Sequence, residues 1–180
     1  MVLGGPLAHV MAAKAVAFAE AQQPEFDTYA HQVRDNAAAL AAGIAKRGGR
    51  IVSGGTDNHL VLVDVTSFGL TGRQAESALE SAGVIVNRNS IPFDANGAWY
   101  TSGIRLGTPA LTTIGLRESD LDEVADIICS VLAATEPTQT ASGDPSKAKF
   151  ALAADLRDRT RDRASDLLSA HPLYPELGML

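Results

Sequence analysis

Apolar residues recur at helical spacing in several segments of the chain. The longest such segment begins after Pro24 and ends before Gly48, and its apolar positions follow one another at the spacing of one helix face. A second helix is predicted from Thr71, because Thr71 and Gln74 have the spacing of a capping box. A third is predicted from about Ser119. The inward-facing positions of these helices are Phe26, Tyr29, Val33, Ala37, Leu40 and Ile44, then Ala75, Ala78, Leu79 and Ala82, then Leu121, Val124, Ile128 and Val131.

The segment 7–21 is apolar on nearly all sides rather than along one stripe. Pro6 precedes it, and proline suits the start of a helix because its missing N–H would have no partner there. A helix that is apolar all round is usually buried between layers of a protein. We therefore predict a helix that lies between two layers, with the amine of Lys14 at the surface. If one of these layers is absent, one apolar face of the helix is expected to be uncovered and to invite a partner or aggregation.

Short runs rich in β-branched residues predict four strands between the helices. They span residues 51–52, 60–65, 84–86 and 102–107. The turn between the first two strands contains Asp57, Asn58 and His59. Hydrogen bonds from the Asx side chains to nearby backbone are the favoured interpretation of this turn, and a binding role is the alternative.

Arg105 is the candidate binding residue of the last strand. Because side chains alternate between the faces of a strand, Ile104 and Leu106 share one face, and Arg105 stands between Gly103 and Gly107 on the other. Glycine within a strand often marks the close approach of a ligand or another backbone. A guanidinium can hold a carboxylate or a phosphate with two parallel hydrogen bonds, so the pattern indicates an anion site. The alternative is an arginine paired with a structural aspartate or a chain end.

Three motifs in a fixed order resemble the C-terminal part of serine hydroxymethyltransferases. They are Gly-Gly-Pro-Leu-Ala-His at 4–9, Gly-Gly-Thr-Asp-Asn-His at 54–59, and Ser-Gly-Ile-Arg-Leu-Gly-Thr-Pro-Ala at 102–110. The resemblance runs from Gly4 to about Leu132 and returns at residues 172–175, so it covers most of the chain.

The resemblance implies an enzyme that uses pyridoxal phosphate and tetrahydrofolate to interconvert serine and glycine. Arg105 corresponds to the arginine that holds the amino-acid carboxylate, and Asn89 corresponds to an asparagine that contacts the folate pterin. Gly4 and Gly5 correspond to backbone positions that reach the cofactor phosphate of the neighbouring subunit in the family's dimer. The implied partners are serine or glycine, tetrahydrofolate, and a second subunit or a complementary N-terminal half.

The sequence departs from the family pattern in several respects. The family's cofactor lysine lies in a threonine-rich segment ending in His-Lys-Thr, upstream of the residues present here, so the covalent anchor is expected to be missing from this chain. The loop at 94–99 reads Asp-Ala-Asn-Gly-Ala-Trp where the family usually has Ser-Pro-Phe, which alters the expected folate contacts. Thr113 is followed by Ile114 and Gly115, where the family commonly has Arg-Gly.

The order of elements predicts a two-layer α/β unit with a small, mainly antiparallel sheet covered on one side by helices. By resemblance, this is the small domain of the aspartate-aminotransferase-like fold, fold type I, of pyridoxal-phosphate enzymes. We expect a helix over 1–21 that bridges the large and small domains, the small domain over 22–134, a linker over 135–145, and a C-terminal helix and tail over 146–180.

The last part of the chain is polar. Residues 135–145 contain two prolines and one glycine, which is typical of a linker. A helix is predicted over 147–170, supported by pairing of Asp155 with Arg159 and of Asp158 with Arg161. Its arginines alternate with aspartates, so they are predicted to form a solvated face.

The overall composition and charge limit the classes of function that we expect. The 180 residues are 46% hydrophobic and 20% charged with a mean hydropathy of +0.04, as in ordinary globular proteins. A net charge of −6 argues against nucleic acid as a partner, and no apolar run is long enough to predict a membrane span. Cys129, the only cysteine, is expected to pack in the core, and a cytoplasmic location is expected. The four histidines show no spacing that predicts a metal site.

Two functions from different classes follow from the sequence. The first is the C-terminal part of a serine hydroxymethyltransferase, inactive alone because the covalent anchor is missing. The second is a non-catalytic remnant that acts as a binding or assembly module through its first helix.

Overall fold

A computed structural model of the chain describes residues 4–174 and shows seven helices and six strands within them. The helices are α1 (Ala8–Glu20), α2 (Pro24–Lys46), α3 (Gly72–Ser81), α4 (Gly97–Tyr100), α5 (Pro109–Thr113), α6 (Glu118–Ala134) and α7 (Ala154–Ser169). The strands are β1 (Arg50–Ile51), β2 (Leu60–Asp64), β3 (Asn87–Asn89), β4 (Gly103–Gly107), β5 (Glu136–Gln139) and β6 (Pro145–Ala151), and a 3₁₀ turn spans Val65–Phe68. The fold is therefore α/β with antiparallel sheets, as the sequence predicts.

Strand β4 lies inside the main sheet, whose order is β1-β2-β4-β3 with all neighbours antiparallel. Arg105 at its centre is opposite Leu62 on one side and Asn87 on the other. Side chains of β2 and β4 alternate between the core and the opposite face, because Val61, Val63, Ile104 and Leu106 are buried whereas Arg105 is exposed.

The core lies between this sheet and helices α2, α3 and α6. The apolar stripes predicted for the three helices are largely confirmed: Leu40, Ile44, Ala78, Leu79, Leu121 and Ile128 all belong to one buried cluster with the inner residues of β2 and β4. Phe26 differs, since it stays 44% exposed near the start of α2. The capping box of Thr71 and Gln74 is present as predicted.

The third predicted strand is displaced along the chain. The prediction of 84–86 is wrong, since pairing with β4 begins at Asn87 and ends at Asn89. The backbone N–H of Val84 instead donates to the carbonyl of Leu79, which closes the end of α3, and Val86 points into the core. Residues 84–86 thus connect the helix to the strand.

Helix α1 forms where predicted, and the described residues leave its apolar side chains uncovered. None of its residues is buried, and Met11, Val16 and Phe18 are 62%, 60% and 65% exposed. Within residues 4–174, nothing covers this helix sufficiently to remove its side chains from water. The core begins with α2.

The linker predicted over 135–145 is replaced by most of a hairpin. β5 and β6 pair with each other around a turn in which Gly143 has a positive φ of 89°. Along β6, exposed and half-buried residues alternate, and Phe150 packs against the core. A polar two-stranded ribbon with one apolar contact lacks the continuous apolar signal from which strands are predicted.

Side chains of α3 hold this hairpin. The Oγ1 of Thr71 donates to the carbonyl of Lys147 at 2.8 Å, and the buried Gln74 amide donates to the carbonyls of Ser146 at 2.6 Å and Lys149 at 3.0 Å. The capping box therefore also fixes β6, and the terminal helix starts at Ala154 instead of near Lys147.

The arginines of α7 are not uniformly solvated, which corrects the predicted solvated face. Arg161 donates to the carbonyl of Ser81 at 2.6 Å, and Arg163 forms ion pairs with Glu123 at 2.7 Å and Asp126 at 2.8 Å. These bonds attach α7 to α3 and α6.

Pairing along α7 itself is partly as predicted. The predicted pair of Asp155 and Arg159 forms at 3.1 Å. Asp158 pairs with Arg157 at 2.8 Å rather than with the predicted Arg161.

Asp126 joins three helices through one carboxylate. It accepts hydrogen bonds from Arg163 of α7 and from Arg47 at the end of α2, and Arg47 also pairs with Asp122 at 2.8 Å. The hydrogen bond from Arg163 and then that from Arg47 lower the pKa of Asp126 below its ordinary value. The hydrogen bond from Arg47 likewise lowers the pKa of Asp122.

We expect this cluster to make the stability of the protein depend on pH in acid. A carboxylate whose pKa is lower in the folded state stabilises the fold above the unfolded pKa, and that stabilisation is lost as the pH falls through the folded pKa. The Asp126→Asn variant should therefore be less stable than the parent at neutral pH, and the gap should close as the pH falls below the ordinary value of 3.8. Urea unfolding followed by circular dichroism over a pH series measures the gap.

The matched control is Asp162→Asn on α7, whose side chain is exposed and forms no ion pair among the described residues. Its stability should follow that of the parent at every pH. A gap for Asp126→Asn that stays constant from neutral pH to strong acid would contradict the expectation.

Candidate functional site

Strand alternation places Arg105 on the face of β4 opposite to the buried Ile104 and Leu106, and Arg105 also lines a cavity of about 330 Å³ together with residues of α2, α6 and α7. Its cross-strand neighbours on that face are Leu62 and Asn87, because directly opposed residues in an antiparallel pair share a face. Within residues 4–174 its guanidinium takes part in no hydrogen bond or ion pair. The alternative of an arginine held by a structural aspartate is thus not found in the described part of the chain.

Asn89 lies on the same face as Arg105. It is opposite Gly103 in the β3–β4 pair, two positions along β3 from Asn87. Its side-chain amide donates to the carbonyl of Ser90 at 2.7 Å. The sheet therefore brings together the two residues that the sequence singles out as ligand contacts, at the diagonal separation of about 7–8 Å that neighbouring strands allow.

Gly103 and Gly107 differ in what surrounds them. A Cβ built on Gly103 would lie 2.8 Å from Cγ2 of Ile91 and 2.9 Å from the carbonyl oxygen of Val63. A Cβ on Gly107 would lie 3.6 Å from Cδ2 of Leu60, 3.7 Å from Cδ of Pro109 and 3.8 Å from the carbonyl oxygen of His59, which are ordinary contacts. Packing of the loop after β3 thus explains Gly103 without a ligand, and the open side of Arg105 is the side of Gly107.

The loop after β3 crosses the sheet. Ile91 lies over Gly103, and Pro92 lines a small cleft with Arg50 and Val52 near β1. The loop therefore covers one end of the sheet face and leaves the end with Arg105 and the 40% exposed Leu60 uncovered.

Trp99 occupies the position at which the expected Ser-Pro-Phe is missing. The guanidinium carbons of Arg73 and Arg88 lie 5.0 Å and 5.3 Å from the centre of its ring, within the range of cation–π attraction. Arg88 is also paired with Glu76 at 3.1 Å. The indole thus packs against α3 and β3, although 61% of the residue remains exposed.

A groove with both polar and apolar lining residues opens beyond the Gly107 end of β4. It has a volume of about 520 Å³ and is lined by Tyr29, His31, Arg34, Asp57, Asn58, His59 and Pro109, among others. The phenol of Tyr29 donates to the carbonyl of Pro109 at 3.2 Å. Sequence reasoning missed this grouping, because the residues of α2 and those of the turn are far apart in the chain.

The turn at 57–59 makes the local hydrogen bond that the favoured interpretation expects. The side-chain oxygen of Asn58 accepts a hydrogen bond from the backbone N–H of Leu60 at 2.8 Å, which is the local Asx bonding expected. Asp57 and His59 meanwhile line the groove.

Gly4 and Gly5 lie before α1 and do not pack against the sheet. Both are exposed, and no atom lies within 4 Å of a Cβ built on either glycine. Their backbone groups are therefore accessible to a group that the rest of the structure would bring to them.

Cys129 packs in the core, as the sequence predicts. Cys129 is buried, and burial raises the pKa of its thiol to about 11. Across residues 4–174 there is no cluster of three or more His, Cys, Asp or Glu side chains able to hold a metal ion. Over the same residues, no helix combines the length and the apolar character that crossing a bilayer requires.

We expect alanine substitutions at the two glycines of β4 to have different effects on stability. Gly103→Ala should lower the free energy of unfolding by about 1–3 kcal/mol, because the added methyl must displace Ile91 or a strand backbone. Gly107→Ala should change it by no more than about 0.5 kcal/mol. Urea denaturation of the two variants beside the parent measures both values, and equal losses would contradict this account of Gly103.

Comparison with known proteins places the chain in a family. The family model described as serine hydroxymethyltransferase matches residues 1–128. A serine hydroxymethyltransferase of Mycolicibacterium smegmatis is 64% identical over 99% of this chain and 36% of its own length. Those of Salinispora tropica and Cutibacterium acnes are each 58% identical over 99% of this chain and 37% of their own lengths.

The chain thus spans a little over a third of the length of these relatives. The family match covers well over half of the chain, and it includes the three motifs and the sheet that carries Arg105 and Asn89. This chain belongs to the serine hydroxymethyltransferase family.

Proposed function

We propose that this chain is the substrate-binding C-terminal part of a serine hydroxymethyltransferase. The reaction is the transfer of the serine hydroxymethyl carbon to tetrahydrofolate, which gives glycine and 5,10-methylenetetrahydrofolate. The observation that carries the proposal is the position of Arg105, exposed on the open sheet face beside Asn89 without an ion pair in the described residues.

Arg105 holds the carboxylate of serine or glycine in this proposal. Its planar fork can donate two parallel hydrogen bonds to one carboxylate, which fixes both the position and the orientation of the amino acid. Since the guanidinium has no acidic partner among residues 4–174, it can meet a substrate without first breaking an internal ion pair. Substrate binding then adds an attraction that the free protein lacks.

Asn89 contacts the pterin ring of the folate in this proposal. An amide side chain offers both a donor and an acceptor, which suits the alternating donors and acceptors of a pterin edge. Leu60 and Leu62 supply apolar surface on the same sheet face. The two substrates would therefore meet over one face of the sheet.

The residues present fit part of a pyridoxal-phosphate site. The accessible backbone groups of Gly4 and Gly5 would contact the cofactor phosphate of a neighbouring subunit. When bound, pyridoxal phosphate supplies an electron sink for bond cleavage at the amino-acid Cα. The four lysines lie on α1, at the end of α2 and on β6, so none stands on the sheet face of Arg105.

The proposal also includes the enzyme's fold type, its covalent lysine and its assembly. In this proposal the described fold is the small domain of fold type I, and the N-terminal part of the enzyme supplies the covalent lysine. The working assembly is a homo-oligomer, or this chain with a complementary N-terminal half. A cytoplasmic location is consistent with the composition and the single buried cysteine.

A fusion enzyme provides the test. The part of the Mycolicibacterium smegmatis relative that precedes the matched region would be joined to this chain, and serine cleavage with tetrahydrofolate would be measured. We expect the fusion to be active and Arg105→Ala to weaken serine use by about a hundredfold, since a charge-assisted pair to the substrate is lost. Steady-state KM and kcat for serine give the result.

Arg159→Ala is the control for Arg105→Ala. Arg159 is also exposed, but it lies on α7 and pairs with Asp155 at 3.1 Å. This variant should use serine as the parent does. An Arg105→Ala fusion with parental KM and kcat would refute the carboxylate assignment, and an inactive parent fusion would refute the proposed function.

The second candidate function is assembly through α1. The specific observation is that Met11, Val16 and Phe18 expose apolar surface that the described residues do not cover. Large exposed apolar surface usually marks a site of protein contact. In this role the chain would pair with itself or with an intact enzyme without catalysing a reaction.

We expect Phe18→Glu to weaken any such association, because burying an unpaired charge is unfavourable. Sedimentation equilibrium of the chain, alone and mixed with the relative's enzyme, would show a dissociation constant at least about tenfold higher than for the parent. Phe93→Glu is the control, since Phe93 is also exposed but lies in the loop after β3. A parent chain that is monomeric in both experiments removes this candidate.

A further inference from the structure

The loop that joins β3 to β4 carries two residues in unfavourable backbone conformations. Phe93 has φ of 57° and Thr101 has φ of 55°, in the left-handed region that side chains disfavour. Phe93 is also fully exposed. Conformations of this kind persist only when surrounding contacts hold them, so the loop needs a source of restraint.

Asp94 supplies that restraint through four hydrogen bonds. Its Oδ1 accepts from the backbone N–H of Asn96 at 2.8 Å and from the hydroxyl of Ser102 at 2.7 Å. Its Oδ2 accepts from the backbone N–H of Ile91 at 3.1 Å and from that of Ser102 at 2.8 Å. One carboxylate thus ties the start of the loop to its end.

The hydrogen bonds of Asp94 connect residues that are further apart in the chain than those of a local turn. An Asx turn needs only the bond to Asn96, two residues away, whereas Ser102 lies eight residues away. Asn96 strengthens the same connection, since its side-chain amide donates to the hydroxyl of Ser102 at 3.0 Å. Partial burial alone would raise the pKa of Asp94, but the hydrogen bonds from Ser102, Asn96 and Ile91 outweigh it and leave the pKa below its ordinary value.

The tied residues adjoin the two proposed ligand contacts. Ile91, held at its N–H, packs over Gly103, and Gly103 is opposite Asn89. Ser102, which donates two hydrogen bonds to Asp94, directly precedes Gly103 and lies three residues before Arg105. Movement of either end of the loop would therefore shift Asn89 relative to Arg105.

We propose that Asp94 is a positioning residue that fixes Asn89 and Arg105 relative to each other, and so sets the affinity for a folate and an amino acid bound side by side. This inference rests on the proposed function for its ligands. Asp94 touches neither ligand in this proposal and acts only through Ile91, Asn96 and Ser102.

The first experiment measures the loop in the chain itself. Trp99, the only tryptophan, lies within the loop and reports on it by acrylamide quenching of its fluorescence. We expect Asp94→Asn to raise quenching, and to speed amide exchange of residues 91–102 by about tenfold, because hydrogen bonds to a charged group are lost. Exchange in α6 should stay unchanged.

Two further variants serve as a control and as a milder change in the same loop. Asp120→Asn is the matched control, since Asp120 also accepts a backbone hydrogen bond, from Arg117 at 2.8 Å, but at the start of α6. It should leave exchange in the loop unchanged. Ser102→Ala removes only the hydroxyl bonds, so it should give a smaller change in the loop, and it serves as the test if Asp94→Asn fails to fold.

The second experiment uses the active fusion enzyme described for Arg105. We expect Asp94→Asn to raise the KM for tetrahydrofolate and for serine by about tenfold with kcat changed less than about threefold, because placement of the ligands is lost while the groups that touch them remain. Ser102→Ala should raise both KM values less, and Ser102→Thr, which restores a hydroxyl, should return them toward the parent.

The outcomes separate this inference from the proposed function. Faster loop exchange together with raised KM values supports it, and an active fusion whose KM values do not respond to Asp94→Asn overturns it. Unchanged exchange and quenching in the loop also overturn it. If the parent fusion is inactive, the proposed function fails, the claim about affinity fails with it, and the loop experiment alone decides whether Asp94 fixes the two strands.

Discussion

The rest of the structure depends on strand β4. Its backbone pairs with β2 and β3, and its two faces lie in different environments, one in the core and one exposed. Ile104 and Leu106 bury apolar surface against the helices. Because side chains alternate along a strand, this burial also places Arg105 on the opposite face. A shift of one position would bury the guanidinium and expose two core residues, so the pairing register and the location of the site are the same constraint.

The parts of the fold that the sequence predicts well are those controlled by neighbours in the chain. The bounds of α2 follow from Pro24 and the glycines after Arg47, and α3 follows from the capping box of Thr71 and Gln74. Period-two alternation predicts the exposed position of Arg105. Each of these signals acts within a few residues, where propensity and hydrogen-bonding geometry are strongest.

The parts that were predicted wrongly depend on contacts between distant residues. β6 forms in a polar segment because Gln74, more than seventy residues earlier, binds its backbone. Gly103 is required by Ile91 rather than by a ligand, and Arg163 is held by acidic residues of α6. In the site, strand pairing brings Asn89 and Arg105 together, whereas the groove with His31 and His59 depends on how α2 packs beside a turn. No spacing in the sequence encodes that packing.

The backbone of helix α1 is paired by the helix's own hydrogen bonds, yet none of its side chains is buried. The side chains that stabilise the core therefore begin in α2. The hydrophobic core of the described residues begins only at Val33. Changes made in α1 and changes made in the sheet should consequently have additive effects on unfolding, since sites without shared partners do not couple. Selection could therefore adapt the surface of this helix to a new neighbour without disturbing the residues that hold a ligand.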